Sequence, residues 1–274
     1  MKLSSKTSSK PNPRRGVISP NRTKARSVKP RWKVGLTLGA VLGLAAAALL
    51  MLNYGRSDRA PASAALRNST DARSTRPDRQ VSAALNAAIN RGNELLAQDK
   101  PEQALEAFSE ALKINPADED VHYDLGLVLA RLGKVDEAIS HYQEAVRLYP
   151  QYVEAWNNLG NLLMRAGRTQ EAIERFQNAL KISPEYASAH NNLGTALQGA
   201  GRFDEAIVHF ERAARIKPDY WQAHFNVGAS CLRAGRLTEA SNAFVEVLRL
   251  KPDFEPARGA LAQVESQWGA ANTK

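Results

Sequence analysis

From Leu85 onward, apolar residues recur at three- and four-residue spacing, the period of one buried helix face. In residues 153–186 they form two stretches, about Val153–Ala166 and Thr169–Ile182, each predicted to be a helix. The pair repeats every 34 residues with no slip over five copies: 85–118, 119–152, 153–186, 187–220 and 221–254. Four columns carry the period. They are Gly92, Gly126, Gly160, Gly194 and Gly228; Ala104, Ala138, Ala172, Ala206 and Ala240; Phe108, Tyr142, Phe176, Phe210 and Phe244; and Pro116, Pro150, Pro184, Pro218 and Pro252. Each residue type has a physical reason. Gly160 and Ala172 are small so that two helices can cross closely, and Phe176 fills the space between them. Gly167, recurring as Gly133, Gly201 and Gly235, sits at the turn, where a positive φ is cheap for glycine. Pro184 follows the second helix and stops it. Residues 255–274 read as one more first helix and a tail, with Pro256 at its start and Trp268 near its end, the solvated cap a repeat stack needs.

A different pattern precedes the repeats. Val34–Leu52 holds 19 residues and no charge, close to the roughly 20 that cross a bilayer as a helix. Trp32 and Tyr54 flank it as interfacial aromatics. Residues 34–54 are therefore predicted to be a transmembrane helix. Gly35, Gly39 and Gly43 share one of its faces, the spacing through which two such helices pair, so a homodimer is one expected use of the span. A cleaved signal with a site near Ala60-Pro61-Ala62-Ser63-Ala64, leaving a soluble periplasmic protein, is the alternative. Residues 55–84, rich in Ser, Arg, Ala and Pro, read as a flexible stalk spanning roughly 30 Å.

Within the repeats, Trp156-x-x-Leu159-Gly160, Ala172-x-x-x-Phe176-x-x-Ala179 and Pro184 resemble the tetratricopeptide repeat. The resemblance covers residues 85–254. The first unit departs from it, with Ala88 where Trp156 stands and Arg91 where Leu159 stands. The runs Asn157-Asn158-Leu159-Gly160 and Asn191-Asn192-Leu193-Gly194 are most similar to repeats of bacterial members and of the O-GlcNAc transferase arm. The resemblance implies an all-α fold: a right-handed superhelix (α-solenoid) of helix-turn-helix repeats, here preceded by one transmembrane helix, with the first helices lining a concave groove.

The formal charge of +9 on 274 residues suggests a nucleic-acid partner until it is placed. Residues 1–33 carry eleven Lys and Arg and no acid, residues 34–84 are +3, and the rest of the chain is −5. The first segment reads as a basic disordered tail that keeps the N-terminus cytoplasmic and sends the repeats across an inner (plasma) membrane, into the periplasm of a bacterium. Interleaved aromatics and a nucleic-acid-binding motif are both missing from it, so no nucleic acid is expected as a partner.

Chemistry is sparse. The lone Cys231 excludes an internal disulfide, and it falls in a column of leucines (Leu95, Leu129, Leu163, Leu197) as a packing residue. No phosphate loop or nucleophile motif occurs, so no enzyme activity, cofactor or metal is expected. His122, His190 and His224 share the column of Trp156, while His141 and His209 share another; all read as packing residues whole repeats apart, too far to share a metal.

One polar column asks for a function: Asn90, Asp124, Asn158, Asn192 and Asn226, two residues before the small glycine. The resemblance implies that it faces the groove as a ladder whose amides bond the backbone of an extended peptide. An amide suits that task, since it offers donors and an acceptor to any peptide unit. The other reading is an inter-repeat structural bond. Asn157, Asn191, Asn161 and Asn93 lie beside the ladder and are expected to widen it; Arg131, Arg165 and Arg233 are expected near the groove wall, selecting acidic partners. The clamp by which one subclass grips chaperone carboxylates is not expected, because Ser188 and Asn192 stand where cations would. The expected function is a membrane-anchored, non-enzymatic scaffold that binds an extended segment of a protein partner in envelope, secretion or surface-polymer assembly. A targeting subunit of a separate enzyme such as a glycosyltransferase is the alternative.

Overall fold

The computed structural model describes residues 76–272. The basic tail and the apolar run at 34–54 lie outside the described residues. Among those described, no helix is long and apolar enough to cross a membrane.

Eleven helices follow one another among the described residues: α1 (Arg76–Ala97), α2 (Pro101–Ile114), α3 (Glu119–Arg131), α4 (Val135–Leu148), α5 (Val153–Arg165), α6 (Thr169–Ile182), α7 (Ala187–Gly199), α8 (Phe203–Ile216), α9 (Trp221–Arg233), α10 (Leu237–Leu250) and α11 (Glu255–Asn272). They form five pairs and a final helix. Helix α1 takes in residues 76–84, which the sequence pattern assigns to the stalk; Pro77 in its first turn, where no intrahelical donor is lost, suits a helix start there.

The joint inside each pair is set by one glycine and one ring. A Cβ built on Gly160 would lie 2.5 Å from the Phe176 ring, and the same clash recurs for Gly92 with Phe108, Gly126 with Tyr142, Gly194 with Phe210 and Gly228 with Phe244. The rings are almost fully buried, and the column Ala104, Ala138, Ala172, Ala206 and Ala240 is completely so. Between the two helices the chain turns through a left-handed residue, with φ +74° at Gly133, Gly167 and Gly235, +79° at Gly201 and +58° at Asp99. The N–H that follows it closes the helix end by bonding a carbonyl five residues back, as Arg168 does to Leu163 at 2.8 Å.

Between pairs a second device recurs. Each first helix after α1 carries a side-chain donor that reaches the carbonyl of the proline six residues earlier: His122 to Pro116 (3.1 Å), Trp156 to Pro150 (2.9 Å), His190 to Pro184 (3.0 Å), His224 to Pro218 (3.0 Å) and Arg258 to Pro252 (2.7 Å). Each bond ties the start of one pair to the connection that leads from the pair before.

Contacts run almost entirely between helices adjacent in sequence, as in a solenoid. The exceptions are successive first helices, α5 with α7 and α9 with α11, while successive second helices make no comparable contact. First helices lying closer together than second helices describe a stack curved with its first helices inside.

Candidate functional site

The asparagine column stands on these inner helices, and its geometry differs from rung to rung. Asn192 Nδ2 donates to Asn157 Oδ1 at 2.9 Å, and Asn226 Nδ2 donates to Asn191 Oδ1 at 2.9 Å. Asn158 Nδ2 donates to the Tyr123 hydroxyl at 3.0 Å. Each bond joins one repeat to the preceding one across the same step. At the step below, the acceptor position holds the apolar Ile89 and the ladder position holds Asp124, a carboxylate when ionised and then no donor. Above, Phe225 and Ala260 occupy the two positions. Three amide rungs are bonded in this way, Asp124 takes the ladder position below them, and Asn90, an exposed residue of α1, stands apart.

Asn157 and Asn191 do not widen the groove as the sequence suggested. Both are buried, at 4% and 2% exposure, as is Asn192 of the ladder itself at 6%, and Asn157 and Asn191 act as acceptors behind the ladder. They hold the next amide in place, so the ladder carries the inter-repeat bond that was the other reading of this column. Asn161 and Asn93 are half-buried. No buried side-chain polar atom among the described residues lacks a partner, so any ladder oxygen not bonded within the protein meets solvent.

Arg131, Arg165 and Arg233 are exposed at the ends of their first helices, α3, α5 and α9. Arg165 and Arg233 enter none of the described ion pairs, whereas Arg–Glu pairs three residues apart decorate the second helices, as Arg168 with Glu171 and Arg202 with Glu205.

Two clusters went unnoticed in the sequence. Beside the first rung, Tyr123 stacks on Tyr152 with ring centroids 4.8 Å apart, Tyr149 leans on Tyr152 at 5.9 Å, and the Tyr152 hydroxyl donates to Asp120 at 3.1 Å. Burial, reinforced by the charges of Glu154 and Asp124, pushes the Tyr123 hydroxyl up to about 12. The second cluster corrects the reading of the histidines. They are not all whole repeats apart: His122 Nδ1 lies 3.0 Å from His141 Nδ1, and His190 Nδ1 lies 3.0 Å from His209 Nδ1. In each pair a first-helix ring faces a second-helix ring of the same repeat, 19 residues on. That spacing, repeated in the second and fourth repeats, is the sequence signal for the pairs; it runs across the turn, whereas the 34-residue columns run along the stack. Cys231 is fully buried in the hydrophobic core, and that burial pushes its thiol up.

Helix pairs stacked by nearest-neighbour contacts, with an amide ladder on their inner helices, define a helical-repeat protein. Family models described as tetratricopeptide repeat match residues 89–153, 151–219 and 185–253, and the chain belongs to that family. Its members are typically protein-interaction scaffolds. Among solved structures, it is similar to MamA, with 26% identity over 59% of this chain and 94% of that one and a TM-score of 0.56. YrrB, described as a tetratricopeptide repeat protein with an unusual peptide-binding site, is 21% identical over 66% of this chain and 96% of that one, with a TM-score of 0.55. PilF of Pseudomonas aeruginosa is 22% identical over 69% and 91%, with a TM-score of 0.55. The last two likenesses show the fold alone. The search of curated proteins gave no match.

Proposed function

We propose that this protein is a membrane-anchored scaffold whose inner helices hold an extended segment of a partner protein. The supporting observation is the ladder: Asn158, Asn192 and Asn226 present their amides in one orientation because each gives one N–H to the preceding repeat. An amide fixed in this way loses little rotamer freedom on binding, and its oxygen can accept a peptide N–H whatever the side chain beside it. Arg165 and Arg233, outside the described ion pairs, favour a partner with acidic residues flanking the bound stretch. The fold shared with YrrB is compatible with a peptide as the ligand.

The apolar run at 34–54 serves as the anchor, with the basic tail lying on the anionic cytoplasmic leaflet. In a bacterium the repeats then work in the periplasm, in assembly of the envelope, of a secretion apparatus or of a surface polymer.

The test is replacement of Asn158, Asn192 and Asn226 by alanine in the full chain. Recovery of the cross-linked partner falls by about tenfold or more, while helicity by circular dichroism and a cooperative unfolding transition persist. Unchanged recovery in a folded variant rejects the groove. Protease added to cells degrades the repeats once the outer membrane is opened; protection until the inner membrane is broken rejects export.

A further inference from the structure

The histidine pairs have a geometry that packing alone does not require. The proline carbonyl can only accept a hydrogen bond, so the His122 bond to Pro116 places the His122 proton on Nε2. Its Nδ1 lone pair then points away from that anchor, towards His141. The bond from His190 to Pro184 does the same in the fourth repeat and aims Nδ1 at His209. This is the arrangement by which proteins orient metal-binding imidazoles, one ring nitrogen held by a backbone carbonyl and the other presented. At 3.0 Å, with ring centroids 5.2 Å apart, each pair is closed by an N–H···N hydrogen bond in which His141 or His209 donates. A turn of the two rings converts that contact into the roughly 3–3.4 Å at which two imidazole nitrogens share one zinc at about 2.0–2.1 Å.

Two other repeats act as internal controls. In the third, the corresponding positions hold Trp156 and Arg175, with the guanidinium 5.6 Å from the indole ring. In the fifth they hold His224 and Ala243, so the anchored histidine has no partner. The carbonyl bond is made in all four, but only the second and fourth repeats add a second imidazole.

We propose that His122 with His141, and His190 with His209, are two bidentate sites for a divalent late first-row transition metal, each clipping the two helices of its repeat together. When an ion enters, the proton that His141 or His209 shares through Nδ1 moves to the Nε2 of the same ring, so two neutral imidazoles bind with no net charge to expel. Among the described residues no group of three or more metal-type donors forms, so water completes the coordination. The partners this selects are Cu2+, Ni2+ or Zn2+, the ions that imidazole suits, rather than Mg2+ or Ca2+. Room for ion and water exists beside the first pair. A cavity of about 540 Å³ is lined by Leu105, Ser109, Leu112, Lys113, Glu137 and His141.

Both pairs sit among charges of both signs. Glu137 and Glu144 lie near the first, with Lys113 on the same cavity wall and Arg147 bonded to Glu144. Glu185 and Glu205 lie near the second, with Arg202 and Arg212. Burial lowers the proton affinity of His141, His190 and His209, which keeps these rings neutral and available at pH 7.

The test is Zn2+ titration of the full chain in detergent micelles by calorimetry. The wild-type chain takes up two equivalents, H141Q and H209Q one each, and the double variant none, while H224Q still takes up two. Cu2+ added to the same proteins gives a paramagnetic resonance spectrum split by two nitrogens, absent in the double variant. Affinity falls by roughly tenfold or more between pH 7.5 and 5.5, as the rings protonate. Circular dichroism confirms that each variant is folded; both replaced side chains are half-exposed on second helices. Less than one equivalent bound by the wild type, or uptake unchanged in the folded double variant, overturns the proposal. One equivalent lost with His141 alone overturns it for the second pair.

Discussion

The joints between the third, fourth and fifth repeats and the joints at the two ends of the stack use the same backbone and different chemistry. In the middle, an amide donates to an amide of the preceding repeat, Asn192 to Asn157 and Asn226 to Asn191. One step earlier the acceptor is a phenol, Tyr123. At the first joint and at the final helix the acceptor position is apolar, Ile89 and Phe225. The carbonyl-anchoring bond and the glycine–ring contact are common to the repeats on both sides. The difference teaches that the stack does not need the ladder to form. Apolar residues take the acceptor position at the ends, so the amides of the middle add a polar inter-repeat bond that the joint itself does not require.

The sharpest way to break that comparison is to remove one acceptor behind the ladder. Replacing Asn157 with alanine leaves the Asn192 amide, itself only 6% exposed, without its acceptor. An unmet buried donor of this kind costs about 1–3 kcal/mol, so N157A lowers unfolding free energy by about 2 kcal/mol in urea titration. In a double-mutant cycle with N192A, about 1 kcal/mol of the loss is shared. A cycle that sums to the two single effects means the amides are independent, and the ladder is then no unit.

The phenol joint gives the next effect. Tyr123→Phe keeps the ring against Tyr152 and Tyr142 and removes only the hydroxyl, for about 1 kcal/mol. It also carries a pH signature. The hydroxyl is pushed from 10 to about 12 in the folded chain, while the unfolded chain deprotonates at its ordinary value. Between those values the unfolded state binds fewer protons, so stability is complete below pH 10 and declines towards pH 12. Y123F reduces the slope of unfolding free energy against pH in that window; an unchanged slope assigns the alkaline loss to Tyr142 and Tyr152, both also raised by burial.

The sequence made these joints partly legible. Gly160 and Phe176 could be paired by reasoning, because two columns of fixed spacing on two helices of known period must meet where the smallest residue allows. The asparagine column could be seen, but its partner could not. Which residue of the neighbouring repeat receives each amide depends on how far one first helix slides along the next, a sub-turn offset that no residue pattern encodes. The histidines differ: the 19-residue step from His122 to His141 and from His190 to His209 recurs across the turn of one repeat, so their meeting was legible there and invisible only in the 34-residue columns.

The turn itself supplies the smallest effect and the one that separates the first repeat from the rest by backbone alone. Gly133, Gly167, Gly201 and Gly235 have positive φ, and a Cβ on any of them would meet open space. Substitution there carries backbone strain without a clash, about 1 kcal/mol for G167A. At the equivalent point of the first repeat stands Asp99, already at φ +58° and making the same closing bonds, with its N–H to Leu96 at 3.1 Å and that of Lys100 to Leu95 at 2.9 Å. Asp99→Gly relieves that strain, and the greater freedom of glycine in the unfolded chain takes part of the gain back, leaving a net stabilisation of about 0.5 kcal/mol. The two substitutions therefore have opposite signs at equivalent positions. Stability gained by D99G and lost by G167A in thermal unfolding marks the turn as a backbone requirement shared by all repeats. A loss in both shows instead that the Asp99 side chain holds the first repeat together by contacts of its own.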